Sequence, residues 1–498
     1  MSANAVVVGA GFGGLAAAIG LAARGVAVQV VEAGAGPGGK ADVAVLEGVE
    51  VDTGPSVLTL PEVFDAVFRL AGSSLKDEIA LVEPTAGSPS FRYHFADGAR
   101  VDIFVAAEDT VASVGRSLGS EAAQDLARFL QDARTIWEAA APHFVLGPPP
   151  AFWNLMSFEA LIALLHIDPL RTMQSGIARR VRSPHLRRVL WRYATYNGSD
   201  PRRAPATLNC IAHVELALGG FGVRGGVHAL VRALVSAAQR LGVEFQWDSP
   251  VTRIDVQSGR ARGVEVRGKL LPTDIVVANA DAAHVSQDLL AKGQLPLRAS
   301  QASLSGWTGV LRAQNLIGRA AHTVVFPEDY QAEFVDMFDR NRAPSDPAVY
   351  LCAQDLAHER PSWPDSQPVF VMANAPAGCA EVAELEVAAL QRARAAGLLQ
   401  PDDRLLWSRT PQELAARFPG SQGSLYGAAS NGPWAAFARP ANRASKVRGL
   451  YLASGSAHPG GGMPLCARSG LTAAECAMDD LRAGRTLAQP LARLEERR

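Results

Sequence analysis

The first apolar run of the chain is interrupted by glycines and carries almost no charge. Positions 6–25 read VVVGAGFGGLAAAIGLAARG, and the first charged residue of the protein is Arg24. Four of these glycines fall within six positions, and each glycine inside a helix costs about 1 kcal/mol relative to alanine. The pattern therefore predicts a strand at Val6–Val8, a turn, and a helix over Phe12–Arg24.

Two other interpretations of this run fit less well. A secretory signal has a positively charged segment before its apolar core, but no Lys or Arg precedes this run. A membrane-spanning helix needs about 20 apolar residues in one helical state, and the glycines interrupt that state. The run is better explained as the strand, turn and helix that begin a nucleotide site.

Short β-branched runs and longer helical patterns alternate through the rest of the chain. Further strands are predicted at Val26–Val31, Val243–Trp247, Val251–Val256, Gly263–Val266, Ile275–Ala278, His322–Phe326 and Leu450–Ala453. Helices are predicted within an arginine-rich segment, Glu121–Leu190, and at Val227–Arg240 and Ala467–Leu481. These interruptions predict a nucleotide domain assembled from separated pieces, with a second domain inserted between them.

Length and composition agree with this organisation. A chain of 498 residues exceeds the size at which single cores stop growing, so two or more domains are expected. Hydrophobic residues make up 48% of the chain, enough for large cores, and a net charge of −1 gives no general attraction to nucleic acid. The five cysteines form no metal or disulfide pattern, so we expect free thiols, no metal and a cytoplasmic protein.

Residues 9–14, Gly-Ala-Gly-Phe-Gly-Gly, match the G-x-G-x-x-G pattern of dinucleotide-binding turns. Gly9 permits the tight turn, Gly11 lets the backbone approach a pyrophosphate, and Gly14 lets the helix and the strand pack closely. Glu32 follows at the end of the next strand, where a carboxylate binds ribose hydroxyls and repels a 2′-phosphate. This spacing disfavours NADP and leaves FAD and NAD open.

A second glycine-rich segment distinguishes these two cofactors. Gly38-Gly39-Lys40 and the turn Asp52-Thr53-Gly54-Pro55-Ser56, together with Glu32, resemble the N-terminal motif of flavin amine oxidases and phytoene-desaturase-like enzymes. The resemblance implies FAD, held by a Rossmann-type, doubly wound α/β domain with an inserted mixed α+β substrate domain. We assign the FAD-binding domain to 1–75, 220–290 and 440–498, and the substrate domain to 76–219 and 291–439.

The C-terminal segment narrows the class. Positions 449–470, GLYLASGSAHPGGGMPLCARSG, resemble the carotenoid-desaturase signature. Ser454 stands where that family usually has glycine and Gly461 where a small side chain is usual, so both positions stay small. The resemblance of both ends, and of the segment around position 251, implies these FAD contacts: Gly9, Gly11, Phe12, Gly13, Gly14, Glu32, Gly39, Lys40, Gly54, Pro55, Ser56, Val251, Gly455 and Met463.

Two further segments, Arg192–Thr207 and Val349–Asp355, are most similar to 1-hydroxycarotenoid 3,4-desaturases, the methoxyneurosporene dehydrogenases of purple bacteria. The resemblance implies desaturation of an acyclic 1-hydroxy or methoxy carotenoid. A phytoene desaturase, a flavin-dependent carotenoid isomerase or an amine oxidase on the same fold are alternatives. A non-enzymatic protein that binds prenylated partners also resembles this fold, but the intact glycine fingerprint and Glu32 disfavour it.

No catalytic motif identifies the base of the reaction. The resemblance implies that a hydride moves to FAD while a proton leaves the neighbouring carbon; the terminal electron acceptor, oxygen or a quinone, stays open. His458, in the turn expected near the flavin, is the first candidate base, with a role in shaping the turn as the alternative. Glu215 is the second candidate, with a structural carboxylate as the alternative.

Carotenoids reside in membranes, so an enzyme that acts on them needs access to a lipid surface. Phe152–Leu165 is apolar but too short to span a bilayer, and seven arginines follow between Arg171 and Arg192. This combination predicts peripheral association with the inner face of the membrane. A core helix followed by a solvated basic face is the alternative interpretation.

Overall fold

Two large sheets organise the part of the chain that the computed structural model describes: residues 3–84, 87–147, 167–314, 319–433, 435 and 439–484. The strands are β1 (Asn4–Val8), β2 (Ala27–Val31), β3 (Val43–Leu46), β4 (Val49–Asp52), β5 (Leu81–Val82), β6 (Phe91–His94), β7 (Arg100–Ile103), β8 (Gly222–Val223), β9 (Glu244–Gln246), β10 (Val251–Gln257), β11 (Arg260–Val266), β12 (Lys269–Pro272), β13 (Ile275–Ala278), β14 (Ser305–Gln314), β15 (His322–Val325), β16 (Val349–Ala353), β17 (Ser366–Ala375), β18 (Arg404–Arg409) and β19 (Leu450–Leu452).

The helices lie between and around these strands. The α-helices are α1 (Phe12–Ala22), α2 (Pro61–Leu70), α3 (Leu75–Glu78), α4 (Ala107–Leu118), α5 (Ser120–Ala140), α6 (Met173–Arg180), α7 (Pro184–Arg192), α8 (Cys210–Leu216), α9 (Val227–Arg240), α10 (Ala282–His284), α11 (Tyr330–Phe334), α12 (Gln354–His358), α13 (Ala383–Ala395), α14 (Pro411–Arg417) and α15 (Met463–Arg482). Short 3₁₀ turns span Tyr193–Asn197 and Ala206–Asn209, and π-helical turns span Ala141–Val145, Val285–Leu289 and Val335–Asp339.

The first sheet is parallel and has the strand order β19–β13–β1–β2–β9. Val7 of β1 lies opposite Val30 of β2 on one side and opposite Val277 of β13 on the other. Parallel strands covered on both faces are continuous apolar runs, which is why these strands were recognisable from the sequence. Segments far apart along the chain therefore end at one shared edge of this sheet.

The second sheet is mostly antiparallel, with the order β18–β14–β17–β16–β15–β6–β7. Its exception is the parallel pair β15 and β6, in which His322 lies opposite Phe91. This pair joins two parts of the predicted substrate domain, 76–219 and 291–439, which are far apart along the chain. We call the part of the molecule built around this mixed sheet the substrate side, after the predicted substrate domain, and the part built around the parallel sheet the flavin side.

The predicted elements are present, with shifts at their ends. β13 and α9 have the predicted bounds, whereas α1 ends at Ala22 instead of Arg24. α15 begins at Met463, four residues before the predicted start, and its first turn holds Pro464. Proline is tolerated there because the amide hydrogen it lacks has no partner inside a first turn.

The hairpin β3–β4 belongs to the N-terminal part of the chain but packs on the second sheet. Val51 is fully buried in a cluster with Val310, Cys352 and Phe370 of that sheet. The turn that follows β4 is therefore held from the substrate side, a contact that the sequence did not indicate.

Among the described helices, none is long and apolar enough to cross a bilayer. The segment Phe152–Leu165, predicted to touch a membrane, lies outside the described residues. Of the arginines predicted to follow it, Arg171, Arg180 and Arg182 each pair with a carboxylate. Arg192 instead donates a hydrogen bond to the hydroxyl of Tyr196, 2.7 Å away, so the expected basic surface is smaller than the sequence suggested.

Candidate functional site

The glycine fingerprint forms the turn between β1 and α1. Gly9 has a φ of +98°, a conformation that favours glycine. A Cβ on Gly13 would overlap the carbonyl oxygen of Ala453, and one on Gly14 would overlap the carbonyl oxygen of Gly9. These positions therefore exclude side chains so that the turn, the helix and the end of β19 can pack together.

The first backbone amides of α1 directly follow this turn and have no side-chain cap. The helix begins at Phe12, its first turn holds no acidic residue, and no side chain caps it. The ring of Phe12 is buried against Phe64, with centroids 5.3 Å apart. Uncapped amides at a helix N-terminus attract phosphate, so the backbone of Phe12, and not its ring, suits an anion.

Glu32 lies beside the same turn, at the end of β2. Its Oε2 accepts a hydrogen bond from the amide of Ala10 at 2.7 Å, and its Oε1 accepts one from the amide of Gly34 at 2.8 Å. The amide of Ser249 donates to the Glu32 carbonyl at 2.8 Å. Val251 begins β10 two residues after Ser249, so the Ser249 contact brings the start of this strand near Glu32.

The second glycine segment packs on the fingerprint. The amide of Gly38 donates to the Ala10 carbonyl at 2.9 Å, and a Cβ on Gly39 would lie 3.7 Å from the Cα of Gly11. A Cβ on Gly54 would overlap the carbonyl oxygen of Lys40. The three glycine segments therefore pack with backbone against backbone, and Pro55 and Ser56 directly follow the third of them.

Lys40 is held inside the molecule. Its Nζ donates to the carbonyl oxygen of Ser424 at 2.7 Å and lies 5.6 Å from the ring centre of Phe418. Burial lowers its pKa, while Asp281 and Cys466 oppose that shift. The ammonium group therefore ties the second glycine segment to the chain that follows α14.

The C-terminal turn closes the same surface. A Cβ on Gly455 would lie 3.2 Å from the Cα of Gly461, and one on Gly470 would overlap the carbonyl oxygen of Gly13. Met463 is buried and is the first residue of α15. The structure thus brings Gly455 and Met463 to the end of the sheet that holds the fingerprint.

Asn279 connects these parts and was missed by the sequence analysis. Its Oδ1 accepts a hydrogen bond from the amide of Gly11 at 3.0 Å, and its Nδ2 donates to the carbonyl oxygen of Ala453. It directly follows β13, at the carboxyl edge of a parallel sheet, where ligands bind in open α/β folds. Its place directly after a predicted strand was the feature of the sequence that could have identified Asn279 as a site residue.

A buried ion pair anchors the turn after β4. Both oxygens of Asp52 accept hydrogen bonds from Arg360, and they also cap α9 through the amides of Val227 and His228. The backbone of Asp52 exchanges two hydrogen bonds with the side chain of Gln354. Arg360 and Gln354 come from the substrate side, so both halves of the molecule fix this turn.

The two predicted bases lie in different places. Glu215, on α8, accepts a hydrogen bond from the hydroxyl of Tyr193 at 3.0 Å within the core of the substrate side. Burial raises the pKa of Glu215, with Arg192 as the main opposing influence. We find no direct contact between Glu215 and the C-terminal turn in the described part of the chain.

His458 lies within that turn and is buried. Its Nε2 is 3.2 Å from the carbonyl oxygen of Gly147, which fixes Nε2 as the donor. Burial lowers the pKa of His458 to about 4, so the ring is neutral near pH 7. Its own backbone carbonyl accepts a hydrogen bond from Asn442 at 2.9 Å, and these contacts hold the turn in place.

Comparison with known proteins identifies the family. Residues 12–366 match the model of the flavin containing amine oxidoreductase family. The chain belongs to this family. The prediction of a flavin-dependent oxidoreductase in the flavin amine oxidase superfamily is therefore confirmed.

Full-length relatives and solved structures support the same conclusion. A hydroxyneurosporene desaturase from Rubrivivax gelatinosus is 35% identical, over 96% of this chain and 93% of the relative. A 1-hydroxycarotenoid 3,4-desaturase from a Flavobacterium species is 28% identical, over 93% of this chain and 96% of the relative. Cyclohexylamine oxidase from Brevibacterium oxydans has the same fold, with a TM-score of 0.62 at 16% identity, over 97% of this chain and all of that chain.

The residues of this flavin amine oxidoreductase fit the cofactor of its family. The uncapped α1 N-terminus suits a phosphate, and glycines at which a Cβ would strike neighbouring backbone let the turns around that N-terminus pack closely. The glycines pack as closely as their spacing predicted, because that spacing follows from local backbone needs, and their contact with the cofactor stays a prediction. Asn279, Gln354 and Arg360 were not found, because their partners are distant in sequence.

Proposed function

We propose that the protein is an FAD-dependent carotenoid desaturase that forms the 3,4 double bond of an acyclic 1-hydroxy carotenoid. The observation that carries the proposal is the similarity to a hydroxyneurosporene desaturase along 96% of the chain. The similarity to a 1-hydroxycarotenoid 3,4-desaturase supports the position of the bond. The family of the chain supports the flavin.

We infer that the flavin is FAD because the uncapped α1 N-terminus and the Glu32 carboxylate beside it offer partners for a dinucleotide. The α1 N-terminus would bind the pyrophosphate, and Glu32 with Val251 would bind the adenosine part. Gly54, Ser56 and the turn before Met463 would face the ring. When bound, the flavin supplies the acceptor for the electrons that leave the substrate.

The residues of the chain position the substrate and exclude water. Desaturation of a polyene benefits from conjugation next to the reacting carbons, so the protein has mainly to orient the chain and accept a proton. His458 is neutral at pH 7 and hydrogen-bonded to Gly147. We propose that it shapes the turn, and its role as a proton acceptor stays a prediction.

Two measurements test this function. Denatured holoprotein should release FAD, identified by its mass, whereas released FMN would contradict the dinucleotide assignment. Purified enzyme should then be incubated separately with phytoene and with a 1-hydroxy acyclic carotenoid, followed by chromatography. We expect a red-shifted product from the hydroxy compound. Conversion of phytoene alone would contradict the proposed substrate, and no product from either would contradict desaturation.

We propose further that the enzyme takes its substrate from a membrane surface without spanning it. The lipophilic substrate class supports this proposal, and Arg179, whose side chain is exposed, belongs to the arginine-rich segment. Flotation with anionic vesicles should show binding that weakens with salt. Equal recovery with neutral and anionic vesicles at every salt concentration would contradict it.

A further inference from the structure

A group of polar side chains lies inside the apolar core of the substrate side. We call it the Glu215 cluster: Tyr93, Arg192, Tyr193, Tyr196 and Glu215. Tyr93 and Tyr193 are fully buried, and Glu215 is 4% exposed. The core around them is formed by aromatic and aliphatic residues such as Phe91 and Leu304. Polar groups are rarely buried without a partner, so the contacts of this cluster are informative.

The hydrogen bonds within the Glu215 cluster leave some capacity unused. Tyr193 donates to Glu215 Oε1 at 3.0 Å, and Arg192 donates to the Tyr196 hydroxyl at 2.7 Å. Glu215 Oε2 and the hydroxyl of Tyr93 have no hydrogen-bond partner among the described residues. Leaving a buried donor or acceptor without a hydrogen-bond partner destabilises a folded protein. Tyr196 lies close enough to Glu215, and Arg192 and Tyr193 lie close enough to Tyr93, to act on the pKa of each group. None of these contacts is short enough to be a hydrogen bond of Glu215 Oε2 or of the Tyr93 hydroxyl, so one acceptor and one donor remain for a polar group of a ligand.

The cluster adjoins the turn that we propose to face the flavin. A Cβ placed on Gly220 would lie 2.9 Å from Cγ1 of Val57 and 3.7 Å from Cγ of Glu215, so Val57 and Glu215 flank the same glycine. Val57 directly follows Ser56. The guanidinium of Arg192 lies 5.5 Å from the ring centre of Tyr350, and Ser56 is close enough to Tyr350 to act on the pKa of its hydroxyl.

The proposed substrate needs a polar partner at such a place. Its hydroxyl is on carbon 1 and its reacting bond joins carbons 3 and 4, so the hydroxyl is only two carbons from the bond that meets the flavin. The rest of an acyclic carotenoid is hydrocarbon and needs an apolar path. A polar cluster beside the flavin-facing turn, inside an apolar core, matches both requirements.

We propose that the Glu215 cluster binds the terminal hydroxyl of the substrate, with Glu215 Oε2 accepting the hydroxyl hydrogen and Tyr93 donating to the hydroxyl oxygen. The proposal rests on the proposed function. It makes Glu215 a specificity residue that distinguishes a hydroxyl, which can donate, from a methoxy group, which cannot. Placing the hydroxyl in this way also fixes the register of the polyene at carbons 3 and 4.

The test compares two substrates in each variant of the holoenzyme. Wild-type kcat/KM is measured for a 1-hydroxy acyclic carotenoid and for its 1-methoxy counterpart, and their ratio is the readout. In Glu215→Gln, Tyr193 still donates to the side-chain oxygen, so the amide NH₂ takes the place of Oε2. That group donates to an ether but accepts nothing, and we expect the hydroxy-to-methoxy ratio to fall at least about tenfold.

A matched control is available in the same core. Glu333 is also a buried glutamate, but both of its oxygens are bonded, to the amide of Ala348 at 2.7 Å and to Asn374 at 3.1 Å. Glu333→Gln should leave the ratio unchanged. If Glu215→Gln binds no flavin, Tyr193→Phe is measured in its place. Tyr193→Phe removes the hydroxyl that holds Glu215 in place, so the carboxylate can reorient. The hydroxy-to-methoxy ratio of kcat/KM should again fall.

The outcomes separate the two proposals. A wild-type enzyme that converts neither substrate overturns the proposed function. An enzyme that desaturates the hydroxy carotenoid with a wild-type ratio near one overturns the role of the Glu215 cluster and leaves the function in place. An equal loss for both substrates in Glu215→Gln also overturns that role, because a proton acceptor or a structural carboxylate would act on both.

Discussion

The flavin side and the substrate side of the molecule are built by different means. On the flavin side, backbone meets backbone at glycines such as Gly13, Gly14 and Gly54, and few side chains take part. On the substrate side, long side chains such as Arg192 and Glu215 meet inside a core. The proposed cofactor site relies largely on backbone, whereas the proposed discrimination between carotenoid end groups relies on side chains.

The two sides meet at a charged contact. Arg360, from the substrate side, and Asp52, from the N-terminal hairpin, are both almost fully buried and lie 2.8 Å apart. The turn that we propose to face the flavin follows Asp52 directly. Disturbing this contact is therefore expected to affect both sides at once.

The largest effect is expected from Arg360→Leu. Removing one partner of a buried ion pair leaves the other charge uncompensated and costs about 3–5 kcal/mol. Chemical denaturation of the holoprotein should detect the loss, together with reduced flavin occupancy. Arg224→Leu is the control, because its ion pair with Glu359 is solvent-exposed and exposed ion pairs contribute little to stability. Equal changes in both variants would show that the buried contact does not join the two sides.

A smaller effect is expected on the flavin side from Gly13→Ala. The new Cβ would overlap the carbonyl oxygen of Ala453, and overpacking of this kind costs about 1–3 kcal/mol. The ratio of flavin absorbance to protein should fall in the purified variant. Gly36→Ala is the matched control, since its Cβ would meet nothing within 4 Å. Wild-type flavin content in Gly13→Ala would contradict the backbone-packed site.

The smallest effect at neutral pH is expected from the buried histidines of the substrate side. Burial lowers the pKa of His322 to about 3 and that of His358 to about 4. The unfolded chain takes up these protons below its ordinary pKa of 6.5, so the folded state binds fewer protons. The free energy of unfolding should be unaffected above pH 7 and should fall as the pH falls from about 6.5 towards 4.

Denaturation curves at several pH values measure this slope. His322→Gln should reduce it, because the variant has no imidazole to titrate. His185→Gln, at the surface beside Asp97, is the comparison. An unchanged slope in His322→Gln would mean that His322 does not contribute to the acid sensitivity.

Much of the fold could be predicted because its signals are local. The apolar runs of β1 and β13 gave the parallel sheet, and the helix over Val227–Arg240 has the predicted bounds. The predicted start of α15 was less accurate, because its first turn contains Pro464 and glycines precede it. The arginines after position 170 were expected to form a basic surface, but Arg180 and Arg182 pair with carboxylates of α5.

The sequence by itself determined the family, the cofactor class and the glycine turns. A tight turn needs a residue with positive φ, and a close backbone approach needs a residue without a Cβ. Both needs require glycine, so the glycines occur at fixed spacing in the sequence. The tertiary structure alone decided which polar side chains meet. Asn279 reaches Gly11, Arg360 reaches Asp52 and Glu215 reaches Tyr193 because strands and helices from separate segments pack together, and no local pattern records those encounters.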